Sequence, residues 1–222
     1  MNCFEAKIFG IGLPRTGTTS LHLAFQQLGI ASVHFPFTLW EQHDYSLLDK
    51  YEAFCDGPIY AMYPELSDRC PDSVFILTTR PLDDWLESME WLLKHGPNIW
   101  GWSPAYDRFH AEFFGNANFD RTLYTAAYNC HHEKVYRWTE QHQAKLLVLD
   151  TAKEYGFAEL CEFLNLPILQ LPYPKSNPAR TPSLSLKCVE RAGQIYPPLG
   201  TLGRRILSRV GRTRLGRLLL NE

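Results

Sequence analysis

The sequence predicts an α/β fold of three layers, in which a central, mostly parallel sheet is flanked by helices. Apolar runs of strand length alternate along the chain with segments of helical period, an order typical of parallel strands joined by helical crossovers. One run, residues 73–79, is β-branched and too apolar for an exposed edge, which indicates a strand inside the sheet.

The individual elements follow from the period of about two residues in strands and about 3.6 residues in helices. Strands are predicted at residues 7–11, 30–35, 73–79 and 145–149. Helices are predicted at residues 21–28, 81–95, 118–142 and 155–164. Gly29 is expected to end the first helix, and the Gly96-Pro97 step is expected to stop the second. The aromatic residues between 97 and 117 fit neither period, so they are interpreted as core or as the wall or lid of a pocket.

Length and composition indicate one globular domain over residues 1–222. The chain has 222 residues, of which 45% are hydrophobic and 21% are charged, as in ordinary globular proteins. The core is expected at about residues 4–180. Residues 181–222 are interpreted as a proline-containing, basic extension, in which membrane-surface contact and a solvated tail are both open readings.

The sequence indicates a cytoplasmic protein without a membrane span. No stretch approaches the roughly 20 apolar residues that cross a bilayer, and the first residues lack the basic start and apolar run of a signal peptide. The six cysteines include no C-x-x-C pair, so they are interpreted as buried, reduced thiols.

The charge distribution does not favour nucleic-acid binding. The whole chain carries −2 and residues 204–222 carry +5, so residues 1–203 carry −7. A duplex-binding protein would spread basic residues over its folded surface, whereas here they collect in one tail.

The strongest functional signal is a loop at residues 12–20 between the first strand and the first helix. Its glycines let the backbone wrap an anion, and the helix that follows directs free N–H groups at it. The spacing from Gly12 to Gly17 matches the loop of nucleoside triphosphatases. However, Thr18 stands where those enzymes need lysine, and Arg15 lies inside the loop, where its donor fork suits a phosphosulfate.

This loop resembles the 5′-phosphosulfate-binding loop of sulfotransferases that use PAPS (3′-phosphoadenosine-5′-phosphosulfate). The matching residues are Pro14, Arg15, Thr16, Gly17, Thr18 and Thr19. The resemblance implies a P-loop-like fold, PAPS as donor, PAP (adenosine 3′,5′-bisphosphate) as product and no metal requirement. It also implies that Arg15 stabilises the leaving phosphate while the rest of the loop holds the 5′-phosphate.

A second signature of that family is a strand ending in arginine, followed by a serine eight residues later. Arg80 and Ser88 have this spacing, and the resemblance implies that they bind the 3′-phosphate. The run from Thr78 to Ser88 most resembles the compact type-4 sulfotransferase-domain subfamily. The resemblance covers roughly residues 7–180.

Sulfuryl transfer requires a base for the acceptor proton, and two candidates remain open. Asp56, in an Asp-Gly-Pro turn 24 residues before Arg80, lies where the cytosolic branch has its catalytic histidine. It could serve as base if partial burial raises its pKa, or it could merely start the turn. His34 is the rival, either as base or as part of the acceptor pocket. Glu65 is interpreted as an acid at a helix N-terminus.

Two patterns suggest a metal site but lack a necessary partner. Residues 146–150 look like a Walker B strand, yet the loop lacks its lysine, so Asp150 is interpreted as a helix cap or turn residue. The pair His131-His132 has no acidic or cysteine partner at ligand spacing. We therefore predict no metal site.

The sequence predicts a sulfotransferase that moves the sulfuryl group of PAPS in line to a hydroxyl or amine acceptor. The acceptor could be a small molecule, a peptide or a glycan, and the sequence does not distinguish them. Two alternatives are a triphosphate-dependent kinase, disfavoured by Thr18, and a catalytically silent relative that binds a nucleotide.

Overall fold

A computed structural model describes residues 6–150 and 157–175 of the chain. Its strands are β1 (Ile8–Gly10), β2 (Ser32–His34), β3 (Ala53–Cys55), β4 (Val74–Thr79) and β5 (Leu146–Asp150). Its helices are α1 (Thr18–Gln27), α2 (Thr38–Glu41), α3 (Leu47–Lys50), α4 (Ile59–Arg69), α5 (Leu82–Trp100), α6 (Pro104–Phe114), α7 (Arg121–Gln141) and α8 (Phe157–Phe163). The basic tail, Cys3 and Cys188 lie outside the described residues.

The five strands form one parallel sheet in the order β2-β3-β1-β4-β5. In the centre, Ile8 of β1 is in register with Ala53 of β3 on one side and with Val74 of β4 on the other. The predicted α/β fold is therefore confirmed, and β4 is an inner strand as its sequence indicates. Because all strands run the same way, their carboxyl ends lie along one edge.

Two apolar clusters cover the two faces of this sheet, because successive strand residues point to opposite sides. Ile8 belongs to one cluster, together with α1 and α8. The adjacent Phe9 belongs to the other, together with α4 and α7. Helices, sheet and helices thus form the three predicted layers.

The chain forms two compact units. The first contains residues 6–85, 125–150 and 157–175 of the described chain, and includes the whole sheet. The second contains residues 86–124, where Phe114 stacks on Tyr124 with ring centroids 4.7 Å apart. The single-domain interpretation stays a prediction.

The predicted stop at Gly96-Pro97 is wrong, because α5 continues through both residues to Trp100. A proline removes one helical hydrogen bond without always ending a helix. Gly96 also has a packing role, since a Cβ at this position would collide with the ring of Trp102.

The region from 97 to 117 is more regular than its sequence pattern suggested. It contains α6, whose start is capped by Ser103 Oγ accepting from the backbone N–H of Tyr106 at 3.3 Å. Pro104 occupies the first turn, and Gly115 ends the helix with a φ of 83°. These are standard signals for the start and the end of a helix. The aromatic residues masked the helical period in the sequence, so α6 was not predicted.

Three smaller interpretations can be compared with the structure. Glu65 lies inside α4, where it pairs with Arg69 at 3.1 Å and accepts from the hydroxyl of Tyr45, so it is not at a helix N-terminus. Asp150 is the last residue of β5, in register with Thr79, and its role as a cap or turn residue stays a prediction because residues 151–156 lie outside the described chain. Cys55 and Cys161 are buried as expected, but Cys130 is exposed.

His131 is a buried structural histidine. Its ring Nε2 lies 2.9 Å from the carbonyl oxygen of Ile11, to which it donates, directly after β1. Burial lowers its pKa to about 4, so it stays neutral at ordinary pH. Among the described residues, no group of three or more histidine, cysteine or acidic side chains could hold a metal ion. No helix in the described part of the chain has the length and apolar character to cross a membrane.

We expect His131 to make the protein sensitive to mild acid. An unfolded histidine binds its proton near pH 6.5, whereas folded His131 does so only near pH 4, so the unfolded state binds more protons between these values. The free energy of unfolding therefore falls as the pH drops through this window. Between pH 7.5 and pH 5, the titration of His131 should lower the free energy of unfolding of wild type by about 2 kcal/mol, and His131→Gln should lack this contribution.

Urea unfolding of wild type and variant at both pH values measures this difference. The glutamine amide can still donate to Ile11, which separates titration from loss of the hydrogen bond. Equal pH dependence of the two proteins would contradict the assignment.

Candidate functional site

Four segments predicted to carry function lie at the carboxyl edge of the parallel sheet. The loop at residues 12–17 follows β1, and His34 is the last residue of β2. Asp56 follows β3, and Arg80 follows β4. Open α/β sheets bind their ligands outside this edge, so the fold assembles these residues where such a site is expected.

The loop approaches the end of β4 so closely that Gly12 cannot carry a side chain. A Cβ at Gly12 would collide with the hydroxyl and carbonyl oxygens of Thr78. The buried hydroxyl of Thr16 lies 2.7 Å from the hydroxyl of Thr78 and 2.7 Å from the carbonyl oxygen of Leu13. These contacts fix the loop against the strand that precedes Arg80.

The loop backbone has the geometry of an anion cradle. Arg15 and Gly17 adopt left-handed conformations, with φ values of 70° and 99°. Such turns direct successive N–H groups to one side. Gly17 is the N-cap of α1 and has no side chain with which to cap it, and the first turn of α1 contains no acidic residue. The positive end of a ten-residue helix therefore faces the loop.

The two predicted arginines lie close together. Arg80 Nη1 donates to the backbone carbonyl oxygen of Arg15 at 3.4 Å. Burial and the positive charge of Arg80 lower the pKa of Arg15, while the charge of Asp56 offsets part of this effect. Two neighbouring guanidinium groups repel each other, so an anion bound between them would be strongly stabilised.

The side chains of His34 and Asp56 meet at the ends of β2 and β3. His34 Nε2 lies 3.1 Å from Asp56 Oδ2, with side-chain exposures of 25% and 16%. The same nitrogen lies 3.3 Å from the hydroxyl of Thr19 and 3.5 Å from that of Thr18. The two rival base candidates are therefore partners in one cluster, which also includes the start of α1.

The expected rise in the pKa of Asp56 is not found. Burial does raise this pKa, but the charge and hydrogen bond of His34, the N–H of Gly57 and the charge of Arg15 outweigh it. The pKa of Asp56 therefore lies below its ordinary value. The carboxylate is ionised at neutral pH and ready to accept a proton, although it is a weaker base than a raised pKa would give.

Asp56 also shapes the turn that was its alternative role. Its carbonyl oxygen accepts from Ile59 N at 2.8 Å, its Oδ1 accepts from Gly57 N at 2.9 Å, and the Gly57-Pro58 peptide is cis. Its own φ is 71°, a conformation that costs a non-glycine residue about 1–3 kcal/mol. The turn holds the carboxylate towards His34, so the structural and chemical roles of Asp56 coexist.

His22 is a site neighbour that the sequence analysis missed. Its Nδ1 lies 2.9 Å from the hydroxyl of Ser32, and its ring centroid lies 5.6 Å from that of His34. Burial, and then the charge of His34, lower its pKa to about 4. His22 follows Thr18 by four residues on α1, a spacing that places the two side chains on one helix face and could have revealed it.

Phe35 is a second neighbour without a sequence prediction. It directly follows His34, has a φ of 57° and is 39% exposed. Its ring stacks on that of Phe37, with centroids 5.3 Å apart. A Cβ on Gly57 would lie 3.4 Å from the same ring, so Phe35 provides an apolar surface beside the turn of Asp56.

Two aromatic side chains hydrogen-bond to backbone carbonyl oxygens at or next to the two arginines. Trp85 lies on α5, and its indole N–H donates to the carbonyl oxygen of Pro14 at 2.8 Å. The hydroxyl of Tyr128, on α7, donates to the carbonyl oxygen of Arg80 at 2.6 Å. The rings of Trp85 and Tyr128 pack with centroids 5.0 Å apart.

Ser88 lies on α5 among the residues of the second compact unit, and is buried. Its predicted part in binding a 3′-phosphate stays a prediction.

A comparison with family models identifies one family. Residues 7–46 and 40–181 match a family model described as a sulfotransferase domain. The chain is similar to Ava biosynthesis cluster protein M of Aspergillus versicolor, with 26% identity over 210 residues that cover 76% of this chain and 79% of that protein. Among solved structures, it is similar to a sulfotransferase from Alicyclobacillus acidocaldarius, with a TM-score of 0.49, 14% identity, and coverage of 89% of this chain and 95% of that one.

Proposed function

The chain belongs to the sulfotransferase-domain family, and from this premise we propose that it transfers the sulfuryl group of PAPS to an acceptor hydroxyl or amine, releasing PAP. The observation that carries the proposal is the pairing of Arg15 and Arg80 beside an anion-cradling loop. A donor with phosphate groups on both sides of its ribose matches two adjacent cationic anchors.

The loop favours this donor over a nucleoside triphosphate. Thr18 stands where a triphosphatase has the lysine that clamps the β- and γ-phosphates. Arg15 instead lies at the middle of the loop on a left-handed backbone. In the proposal, Arg15 contacts the phosphosulfate, the loop residues from Thr16 to Thr19 hold the 5′-phosphate, and Arg80 binds the 3′-phosphate.

The proposed transfer uses Asp56 as base. The acceptor hydroxyl gives its proton to the Asp56 carboxylate while its oxygen forms a bond to sulfur. The bond between sulfur and the bridging oxygen breaks, and its electron pair stays on the 5′-phosphate of PAP. Arg15 stabilises the negative charge that appears there. His34, at 3.1 Å from Asp56, orients the carboxylate and lies where an acceptor would reach it.

We expect PAP to bind without magnesium. The anchors are arginines, backbone N–H groups and a helix N-terminus, so no metal is needed to neutralise the ligand. Calorimetry with PAP in EDTA measures this directly.

Calorimetry with ATP in the presence of Mg²⁺ is the matched comparison. Tighter binding of the ATP complex than of PAP would replace the sulfotransferase proposal with the kinase alternative. If PAP binds but no acceptor in a broad panel is sulfated, the chain is the catalytically silent relative.

We expect Arg80→Ala to weaken PAP much more than adenosine 5′-phosphate. Only PAP has the 3′-phosphate, and a hydrogen bond to a charged group is worth about 1.5–3 kcal/mol, or roughly 10- to 150-fold in affinity. Arg108→Ala, on an exposed part of α6, is the control for loss of a surface arginine. If Arg80→Ala weakened both ligands equally, Arg80 would act through the shape of the loop and not on the 3′-phosphate.

We expect Asp56→Asn to lower kcat by roughly 10²–10⁴, the usual effect of losing a general base. The amide keeps the shape of the side chain and removes a negative charge near Arg15, so PAP affinity should not fall. His34→Ala should act mainly on the KM of the acceptor. Steady-state kinetics with PAPS and an identified acceptor, together with PAP calorimetry, measure both effects.

The pH profile separates the two candidates. Because the pKa of Asp56 lies below its ordinary value, the kcat/KM of a reaction that uses this carboxylate should show no acidic limb near neutral pH. An acidic limb near neutral pH, with turnover preserved in Asp56→Asn and lost in His34→Ala, would make His34 the base.

A further inference from the structure

The sheet edge presents the two segments that carry the proposed phosphate anchors, and two side chains outside the anion cradle hydrogen-bond to them in addition to the contact between Thr16 and Thr78. One segment is the loop at residues 12–17, and the other is the junction at residues 80–82 between β4 and α5. Trp85 and Tyr128, here called the brace, hydrogen-bond to one carbonyl oxygen in each segment.

The brace contacts lie directly beside the two arginines. Trp85 is fully buried, and its N–H binds the carbonyl oxygen of Pro14, the residue before Arg15. Tyr128 binds the carbonyl oxygen of Arg80 itself. Because the two rings also pack together, a shift of one arginine backbone relative to the other would break a hydrogen bond or the ring contact.

Tyr128 is held in turn by its own helix. The ring of His132 packs on it with centroids 4.1 Å apart, and His132 Nδ1 lies 2.8 Å from the carbonyl oxygen of Tyr128. Burial raises the pKa of Tyr128, so its hydroxyl keeps its proton and remains a donor at neutral pH. The Arg80 side chain completes the connection by donating to the carbonyl oxygen of Arg15.

We propose that Trp85 and Tyr128 are positioning residues that hold the two phosphate anchors of the donor site at a fixed spacing. This inference rests on the proposed function, since it concerns how one ligand with two phosphates is bound. When the spacing between the two anchors is already set in the free protein, binding of the first phosphate places the second phosphate at its anchor. No further entropy is then lost in ordering the protein. The brace therefore contributes to the affinity for PAP but little to that for a ligand with one phosphate.

The test compares three ligands on four proteins by calorimetry. The ligands are PAP, adenosine 5′-phosphate and adenosine 3′-phosphate, and the proteins are wild type, Tyr128→Phe, Trp85→Phe and Tyr136→Phe. Tyr136 lies on α7 two turns after Tyr128 and is 47% exposed, so its variant is the matched control for removing a hydroxyl.

We expect Tyr128→Phe and Trp85→Phe to weaken PAP about tenfold, which corresponds to about 1.4 kcal/mol, and each monophosphate by less than twofold. Tyr136→Phe should bind all three ligands as wild type does. The measured quantity is the ratio between the affinity for PAP and the affinity for each monophosphate. General destabilisation would lower all three affinities and would not change this ratio selectively.

Equal weakening of all three ligands by Tyr128→Phe, or unchanged PAP binding in both brace variants, would overturn the inference. Tyr128→Phe keeps the packed ring, so it tests the brace even if Trp85→Phe does not fold. Failure of the proposed function is a different result, in which wild type does not bind PAP more tightly than the monophosphates.

Discussion

The close contact between the phosphate loop and the end of β4 is the constraint on which the site depends. Gly12 allows this approach because it has no side chain, and the hydroxyl pair of Thr16 and Thr78 joins the two segments at 2.7 Å. Both hydroxyls are buried, and that of Thr16 also donates to Leu13, so separating the pair would take this partner from the Thr78 hydroxyl, at a cost of about 1–3 kcal/mol. The loop and the strand that leads to Arg80 are therefore one rigid support.

That support brings the positive charges of Arg15 and Arg80 close together at the edge of the sheet. Burial, and then the positive charge of Arg80, lower the pKa of Arg15, so the charges of the two arginines interact. Asp56 offsets part of this charge, but its carboxylate is also engaged with His34. A multivalent anion bound here would be stabilised by both arginines, which supports the proposed doubly phosphorylated donor over a neutral ligand.

The sequence predicted those parts of the fold and of the site whose evidence lies in residues adjacent in the chain. The loop was predictable because its glycines, Arg15 and threonines are adjacent, and the long strands β4 and β5 have clear apolar runs. The three residues of β3 are too few for a period, and Pro64 inside α4 hid that helix. Trp85 and Tyr128 could not be found as a brace, because their partners lie 71 and 48 residues away in the chain.

The chemical character of Asp56 was missed for a related reason. Its neighbours in the chain, Gly57 and Pro58, predict a turn and partial burial, and burial alone raises a carboxyl pKa. The opposing charges come from His34 and Arg15, which arrive through β2 and through the loop after β1. The sign of the shift is therefore a property of the assembled sheet edge and not of the local sequence.

The same charges connect donor binding to the strength of the base. In the free protein, the positive charge of Arg15 helps to keep the pKa of Asp56 low. In the proposed complex, a phosphosulfate on Arg15 would neutralise much of that charge, and the attraction that holds Asp56 in its ionised form would weaken. The proton affinity of the carboxylate then rises once the donor is bound. Asp56 would thus be a stronger base in the complex, where its proton transfer is useful, than in the empty site.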